Sequence, residues 1–458
     1  MRVLLLNSCA VSHTTDTLQR DYLSINPGIA SIASHLRSLG VEVVVLDPRL
    51  EKLQAPEVAE RIATLATEYV GYSAITEEIH DAAEIAAEVK KRRPGIVNIV
   101  GGCHAGALPV ETLRQFSGFD IAVQGEGELP FADIVRGTPP ENIAEIAFRT
   151  AGGEAVFTAG HRVLVELDDL PFPAWDLYQV SRYRPPMMVE LVRACPYGCN
   201  FCFHAVGRQV HYKSPARALD EIEHCVERYG IRFLYLSTNG TWPLGRAHCE
   251  QICEGMLSRG LKIRWATSTR VDLVDPELLA LMRRAGCDMI DFGIETASAE
   301  MLGLCRKGTS HEAIISSVEA CHRLGLDVEL NFLLGLPHES NETLKQTRDL
   351  VRRLRRFSTI ANFHLLVPFP GTEVYEMALR NEAGLRIIHN DWRKYTVQRG
   401  GVLAYDNFSQ EDLHAWQARM YRCYYFSFRK FLQVLRSPNA REMISPSRLL
   451  YMIRSMFL

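Results

Sequence analysis

Three cysteines stand within eight residues of one another, at Cys195, Cys199 and Cys202. Three thiolates at this spacing can bind three corners of an iron–sulfur cube and leave the fourth iron without a protein ligand. A cluster held by four protein thiolates mainly passes electrons, whereas a cluster short of one ligand can bind a substrate or cofactor directly. The spacing therefore predicts a catalytic 4Fe-4S cluster.

Two alternatives exist for the same residues. A structural zinc site would normally need a fourth Cys or His at matching spacing, and zinc frameworks usually come as two pairs of ligands. His204 is the nearby residue that could complete such a site. The cysteines could also be three unrelated buried thiols. The spaced triplet favours iron over both alternatives.

The run from Cys195 to Cys202, with the aromatic Phe201 before the last cysteine, resembles the signature of the radical S-adenosylmethionine (SAM) superfamily. The resemblance implies that the amino and carboxylate groups of SAM chelate the open iron. It also implies that one electron from the cluster breaks the sulfonium bond and releases a 5′-deoxyadenosyl radical. A reductant such as flavodoxin or ferredoxin is the partner expected to supply that electron.

Length and composition fit an enzyme of this kind. At 458 residues and 47% hydrophobic content, the chain should hold two or three domains with ample cores. The formal net charge of −3 gives no bulk reason to expect nucleic acid as a partner. No apolar stretch is long enough to span a bilayer, and the first residues suggest a buried strand rather than a signal peptide. We expect a cytoplasmic protein with reduced cysteines.

The first part of the chain, residues 1–138, alternates strand and helix patterns, which predicts a doubly wound parallel sheet of the flavodoxin-like or Rossmann type. A helix is predicted over residues 27–39, because Pro27 stands at its start and Gly40 follows its end. The predicted strands are 2–7, 41–47, 69–74, 96–101 and 119–124.

Ligands of such sheets bind beyond the carboxyl ends of the strands. The turns there are rich in small residues, which let a bulky planar ligand approach the backbone closely, and no GxGxxG motif suggests a dinucleotide. Together with the radical-SAM motif, these turns resemble the cobalamin-binding domain of one large radical-SAM class. The residues expected at cobalamin are Ser73, Gly101, Gly102, His104, Gly125 and Glu126.

One departure from classical cobalamin proteins concerns the ligand of cobalt. The chain has no DxHxxG motif, whose histidine coordinates the metal from below, and His13 lacks that sequence context. Members of the resembling radical-SAM class commonly lack the motif too. Cobalamin is therefore either held without a histidine ligand, or the domain is retained and empty.

The second half is predicted as a partial (β/α)6 barrel of the TIM type over residues 187–400. Prolines in residues 139–186 suggest an extended linker before it, and residues 401–458 form a helical C-terminal region with a helix over 412–436. The aromatic residues of that helix should pack against the barrel. The predicted barrel strands are 189–192, 232–236, 262–266, 289–293, 328–334 and 362–366.

Motifs at the ends of these strands resemble the SAM-binding elements of the family. The implied SAM contacts are Phe201, Asn239, Arg270, Glu295 and Asn331. Asn239 departs from the acidic residues of many relatives. A guanidinium at position 270 could grip the SAM carboxylate, or it could form a structural ion pair with a nearby aspartate, Asp272 or Asp291.

The function expected from this resemblance is cobalamin-dependent C-methylation of an unactivated carbon in a small molecule of natural-product biosynthesis. A methyl group would come from methylcobalamin, and a second SAM would remethylate the cobalt. The substrate pocket should lie between the carboxyl-end faces of the two domains, within reach of His204, Arg208 and Tyr212.

Other functions stay open. The first alternative is a non-methylating radical reaction, such as dehydration of an aminoglycoside-like sugar or oxidative ring closure, with an empty first domain. A methylthiotransferase would need a second cysteine triplet in that domain, where only Cys9 and Cys103 occur. A non-catalytic iron–sulfur scaffold or electron carrier would show no cleavage of SAM.

Overall fold

The computed structural model of the chain describes residues 1–10, 23–160, 164–183, 187–236, 241–437 and 439. The strands are β1 (Arg2–Leu6), β2 (Glu42–Leu46), β3 (Tyr69–Ser73), β4 (Val97–Gly101), β5 (Ile121–Val123), β6 (Ile146–Arg149), β7 (Ala155–Phe157), β8 (Met188–Val189), β9 (Val192–Arg193), β10 (His211–Tyr212), β11 (Phe233–Leu236), β12 (Arg264–Thr269), β13 (Cys287–Glu295), β14 (Asp327–Leu334), β15 (Ile360–Leu365), β16 (Leu385–Ile387) and β17 (Leu403–Tyr405). The helices are α1 (Pro27–Ser38), α2 (Pro48–Glu51), α3 (Ala55–Thr64), α4 (Ile79–Arg92), α5 (Cys103–Ala107), α6 (Pro109–Gln115), α7 (Glu128–Val135), α8 (Pro215–Tyr229), α9 (Arg246–Ser258), α10 (Pro276–Arg284), α11 (Ala299–Leu304), α12 (His311–Arg323), α13 (Asn341–Leu354), α14 (Glu373–Leu379), α15 (Gln410–Tyr425) and α16 (Phe428–Arg436).

The N-terminal sheet has the strand order β2-β1-β3-β4-β5-β6-β7. Strands β1 to β5 are parallel and follow the flavodoxin-like order, as expected for a doubly wound sheet. Strands β6 and β7 extend it in antiparallel pairing. The expectation that residues 139–186 are only a linker is therefore wrong for 146–157, which form a hairpin on this sheet.

Helix α1 shows why the sequence folds this way locally. The Asn26 side-chain oxygen accepts hydrogen bonds from the backbone N–H groups of Gly28 and Ile29, at 3.0 and 3.2 Å, and Pro27 occupies the first turn. Ile29 and Leu36 lie on the buried face of the helix, against the sheet. This cap fixes the start of α1 beside the carboxyl end of β1, where a ligand of the sheet would bind.

The second sheet has six parallel strands in the order β15-β14-β13-β12-β11-β8. The outer strands β8 and β15 do not pair with each other in the described part of the chain, so the sheet is the expected partial barrel. The first strand differs from the prediction of 189–192. Met188–Val189 pairs with β11, whereas Val192–Arg193 leaves the sheet and pairs antiparallel with His211–Tyr212.

The C-terminal region packs against the barrel as predicted, with buried Trp416, Met420 and Tyr424. The prediction of a single helix over 412–436 is wrong. Helix α15 ends at Tyr425, and helix α16, which Ser427 caps, begins at Phe428. Among the described residues, no helix has both the length and the apolar character needed to cross a bilayer.

Candidate functional site

The three cysteines lie in the loop between β9 and β10, at the carboxyl-end face of the barrel. The antiparallel pairing of β9 with β10 closes this loop at its base. Cys195 and Cys199 are half-buried, and Cys202 is exposed. Asn200 anchors the loop to the segment after α11, since its backbone N–H donates to the Cys305 carbonyl at 3.2 Å and its side-chain amide donates to the Leu304 carbonyl at 3.2 Å.

Positive charge surrounds these thiols. Lys307 forms a buried ion pair with Glu295, at 2.9 Å between Nζ and Oε1. Burial raises the pKa of Cys199, while the charges of Lys307 and Arg270 act in the opposite direction. Desolvation of its sulfur raises the pKa of Cys202 to about 11, the neighbouring Cys199 and Cys195 add to this shift, and Lys307 opposes it. Nearby cations suit a cluster whose ligands are thiolates.

The donor set fits an iron–sulfur cube. None of the three cysteines forms a disulfide. Within the described ranges, no three His, Cys, Asp or Glu side chains surround a point where one metal ion could sit. A structural zinc needs four donors around a single point, whereas a cube spreads three thiolates over three irons. The loop therefore matches the cluster prediction better than the zinc alternative.

Arg270 lies beside the loop and keeps one free donor. Its guanidinium stacks on the ring of Tyr197 at 3.8 Å and forms a two-point ion pair with Asp272, at 2.9 and 2.8 Å. Its Nη2 also donates to the Lys307 carbonyl, at 2.5 Å. The buried Nη1 has no hydrogen-bond partner. The structural ion pair expected as an alternative is present, and an unused N–H remains for an anionic group.

The other residues expected at SAM lie at separate places in and around the barrel. Glu295 has a positive φ of 63° at the end of β13, where the register with β14 shifts. The amide oxygen of Asn331 accepts from Asn362 at 2.8 Å, and its amide nitrogen donates to Asp291. Phe201 packs beside the small cluster of residues around Leu336 and Leu366. Asn239 falls in a segment outside the described residues.

A polar lining of the barrel interior was not predicted. Asp291 accepts from Ser268 at 2.9 Å, and His364 lies 3.2 Å from the amide oxygen of Asn331. These side chains come from neighbouring strands and face the inside of the partial barrel below the loop. Their signal in the sequence is a polar residue in an otherwise apolar strand, since alternate residues of a strand share one face.

A first cavity of about 250 Å³ opens at the carboxyl edge of the N-terminal sheet. It runs down between the sheet and helices α1 and α7, so apolar side chains such as Leu5 and Phe131 form its floor. At its mouth, a Cβ on Gly101 would meet no atom within 4 Å, which leaves room for a flat ligand. The residues at its mouth include Ser73, Gly101, Gly102, Gly125 and Glu126.

Of the six residues expected at cobalamin, five therefore line this cavity and His104 does not. The His104 side chain is buried and packs edge-on against Trp392 at 4.9 Å between ring centroids. Burial lowers the pKa of His104 to about 4, so the ring is neutral. Helix α5 starts directly after Gly102 and turns His104 away from the mouth, toward the segment after the barrel.

The cysteine loop forms one wall of the first cavity. Ala205 and Val206 of the loop line it, and so does Arg193 from the base of the loop. Arg193 is buried among three carboxylates, at 2.7 Å from Glu128 and 3.4 Å from Glu126 across the domains, and at 2.7 Å from its near neighbour Glu190. The two domains thus meet through a buried ion cluster next to the cavity.

Histidine 211 completes this ion cluster. Its Nε2 lies 2.9 Å from Glu126, and its Nδ1 lies 3.1 Å from the Val165 carbonyl. The hydrogen bond to Glu126 raises the pKa of His211. Burial alone would raise the pKa of Glu126, but the bond from His211 and the charge of Arg193 lower it overall.

A second cavity, of about 280 Å³, lies between the carboxyl ends of both sheets. Phe203 from the cysteine loop lines it, together with Phe369, Tyr395 and Val397 from the barrel side. Cys103 and Ile75 line both cavities. This is the interdomain position expected for a substrate, but His204, Arg208 and Tyr212 are not among its lining residues.

Comparison with known proteins matches both halves. The family model for the Radical SAM superfamily matches residues 189–351, and the B12 binding domain matches residues 16–135. The chain therefore contains a radical SAM domain and a B12-binding domain. The first cavity lies in the B12-binding domain, and the cysteine loop lies in the radical SAM domain.

Curated relatives cover most of the chain. An uncharacterized methyltransferase of Pyrococcus horikoshii is 28% identical over 87% of this chain and 87% of its own length. An anaerobic magnesium-protoporphyrin IX monomethyl ester cyclase of Rubrivivax gelatinosus is 27% identical over 80% of this chain and 68% of its own. A cytidylyl-2-hydroxyethylphosphonate methyltransferase of Streptomyces wedmorensis is 25% identical over 83% and 82%.

Solved structures share the fold. The radical SAM methyltransferase TsrM from Kitasatospora setae, solved with cobalamin and a 4Fe-4S cluster, aligns with a TM-score of 0.71 at 18% identity, over 92% of this chain and 88% of its own. The cobalamin-dependent radical enzyme OxsB aligns with a TM-score of 0.75 at 16% identity, over 98% of this chain and 72% of its own. These similarities establish the two-domain α/β architecture.

Proposed function

We propose that this radical SAM enzyme is a cobalamin-dependent C-methyltransferase that acts on a small molecule. In this proposal Cys195, Cys199 and Cys202 hold a 4Fe-4S cluster, SAM binds its open iron, and cobalamin binds at the first cavity, whose volume of about 250 Å³ accepts only part of it. Relatives named methyltransferases in Pyrococcus horikoshii and Streptomyces wedmorensis support the proposal. The structure of TsrM with cobalamin and a cluster supports the same cofactor set.

One observation carries the proposal. The loop that holds the three cysteines also walls the first cavity, through Ala205 and Val206. The second cavity touches both, because it shares Cys103 and Ile75 with the first cavity and Phe203 with the loop. A substrate in the second cavity would therefore contact both the cluster side and the cobalamin side. C-methylation by two cofactors requires this arrangement.

The chain's own residues would bind and orient SAM beside the cluster. The free Nη1 of Arg270 can donate to the SAM carboxylate, while Asp272 and Tyr197 fix the plane of the guanidinium. The Lys307 ammonium group lies near the thiolates, and its ion pair with Glu295 holds it in place. Asn331, held from three sides, presents a fixed polar group in the barrel interior.

When bound, SAM on a reduced cluster supplies a 5′-deoxyadenosyl radical, and cobalamin supplies a methyl group, while the protein provides orientation and exclusion of water. The electron would come from a small reductant such as flavodoxin or ferredoxin. The buried ion cluster around Arg193 keeps the domains in one relative position next to the first cavity. Distances between the reacting groups would depend on that position.

The test uses the anaerobically reconstituted protein with dithionite as reductant. We expect cleavage of SAM to 5′-deoxyadenosine, a cobalamin absorbance that co-purifies with the protein, and transfer of a trideuterated methyl group from SAM to cobalamin. Extracts of the producing cells should then yield a product heavier by the labelled methyl group. Arg270→Met should weaken SAM binding, and Arg246→Met, an exposed ion-paired arginine, serves as the control.

Two results decide against this function. SAM cleavage without cobalamin binding would remove the methyl donor from the proposal. Cobalamin binding without any 5′-deoxyadenosine would remove the radical chemistry and leave a carrier protein.

A second candidate function is oxidative ring closure without methyl transfer. The relative of Rubrivivax gelatinosus, named a cyclase, favours it over dehydration of a sugar diol. In this case the labelled methyl group of SAM would be recovered only as methionine, while 5′-deoxyadenosine would still form.

A further inference from the structure

The second cavity differs from a usual polar substrate site in its chemistry. Its wall is formed mainly by aromatic and aliphatic side chains: Phe203, Phe369, Tyr395, Val397 and Ile75. Among the described residues that line it, none is a lysine or an arginine. The charged residue on the wall is Glu77, a buried carboxylate.

Charge and size both restrict what this cavity can accept. An anionic group entering it would lose water without gaining a lysine or arginine partner from the described wall. Its volume of about 280 Å³ lies near the lower end of small-molecule sites, which usually measure about 300–1,000 Å³. Apolar surface is the main source of affinity that remains.

The walls of this cavity are held in place by both domains. A Cβ on Gly371 would come within 2.4 Å of the Phe203 ring and 3.1 Å of Ala107 in the B12-binding domain. The Phe203 ring therefore packs closely against Gly371, near the B12-binding domain. Tyr395 is buried, and its hydroxyl donates to the His389 carbonyl at 3.1 Å, which leaves mainly its ring available to the cavity.

We infer that the substrate is a neutral, mainly hydrocarbon small molecule without phosphate or carboxylate groups in the part that enters the second cavity. As a statement about a substrate, this inference rests on the proposed function. It identifies the chemical class, and it predicts that substrates with anionic head groups bind poorly.

Two probes with one skeleton test this class directly. N-phenyl-1-naphthylamine is neutral, and 8-anilino-1-naphthalenesulfonate carries one sulfonate on the same rings. Equilibrium dialysis against the cobalamin-loaded, cluster-reconstituted protein avoids quenching by the cofactors and keeps the first cavity filled. We expect one neutral probe per chain, bound at least about 30-fold more tightly than the sulfonate.

Variants assign the probe to this cavity. Val397→Lys adds a cation to the wall, so it should weaken the neutral probe at least tenfold and strengthen the sulfonate at least tenfold. Gln398→Lys, on the same wall, provides a second chance if the first variant does not fold. Leu257→Lys, at an exposed position of helix α9, should change neither affinity.

Each outcome decides the inference. Equal affinity for the two probes, or neutral binding that the lysine variants leave unchanged, would overturn it. SAM cleavage is measured in the same preparations. If SAM cleavage fails while the probe pattern holds, the proposed function is wrong and the cavity is an apolar ligand site. If cleavage holds and the probe pattern fails, only the substrate class is wrong.

Discussion

Replacement of Arg193 by Met tests whether the buried ion cluster between the two domains stabilises the protein. The arginine side chain is 5% exposed, and its removal leaves Glu126, Glu128 and Glu190 without their shared cation. Breaking a buried ion pair by removing one partner typically costs about 3–5 kcal/mol. For 458 residues, unfolding entropy near the midpoint is about 1 kcal/mol/K, so the expected loss is about 3–5 °C in Tm.

Calorimetry of the purified protein and titration with cobalamin are the assays. The variant should also bind cobalamin more weakly, because Arg193, Glu126 and Glu128 line the first cavity. The matched control is Arg246→Met. Arg246 also faces three carboxylates but is 44% exposed, so the expected cost is under about 1 kcal/mol.

A second substitution shows whether buried charge is the cause. Arg193→Met with Glu128→Gln removes one stranded carboxylate and should recover at least about 1 kcal/mol relative to the single variant. If Arg193→Met unfolds within about 1 °C of the parent and binds cobalamin normally, the reasoning about this ion cluster is wrong.

Three further predictions concern the cluster, the first cavity and pH. Alanine at Cys195, Cys199 or Cys202 should abolish the iron–sulfur absorbance and SAM cleavage, whereas Cys423→Ser should leave iron content unchanged; a retained cluster in any triplet variant would contradict the assignment. Gly101→Leu should lower cobalamin affinity at least tenfold with little change in Tm, because its new side chain meets open space at the cavity mouth; unaffected binding would exclude this cavity. The pKa of His211 is raised above 6.5, so its contribution to stability is complete below that pH and is lost as pH rises through the raised pKa. The pKa of Glu126 is lowered, so its contribution to stability is lost only below about pH 4.5. Tm should therefore fall as pH rises above about 6.5, and His211→Gln should flatten this decline; a parallel decline in the variant would assign it to other groups.

The chemistry-bearing loop was predictable because its signal is local. The spacing of Cys195, Cys199 and Cys202 predicts the cluster ligands without any knowledge of the fold. The parallel strands were equally predictable, since buried strands are continuous apolar runs. The antiparallel hairpin of β6 and β7 was missed because its strands are only three or four residues long, although the Gly152–Gly153 pair between them is a turn signal.

The docking of the two domains could not be predicted in the same way. Arg193 and Glu128 are separated by 65 positions, and nothing in either local sequence states that they meet. His104 illustrates the converse error. Its position after a glycine turn suggested a ligand contact, but a short helix that starts at Cys103 rotates the ring toward Trp392. Orientation after a turn depends on tertiary packing.

The double use of residues 205 and 206 has a thermodynamic consequence. They belong to the segment that must be ordered when iron is inserted, and they also form the wall against which a corrin ring would rest. Insertion of metal and uptake of the second prosthetic group are then linked equilibria. If bound iron raises the affinity for cobalamin by some factor, bound cobalamin must raise the affinity for iron by the same factor. Iron-starved cells should accordingly yield protein that is depleted in both.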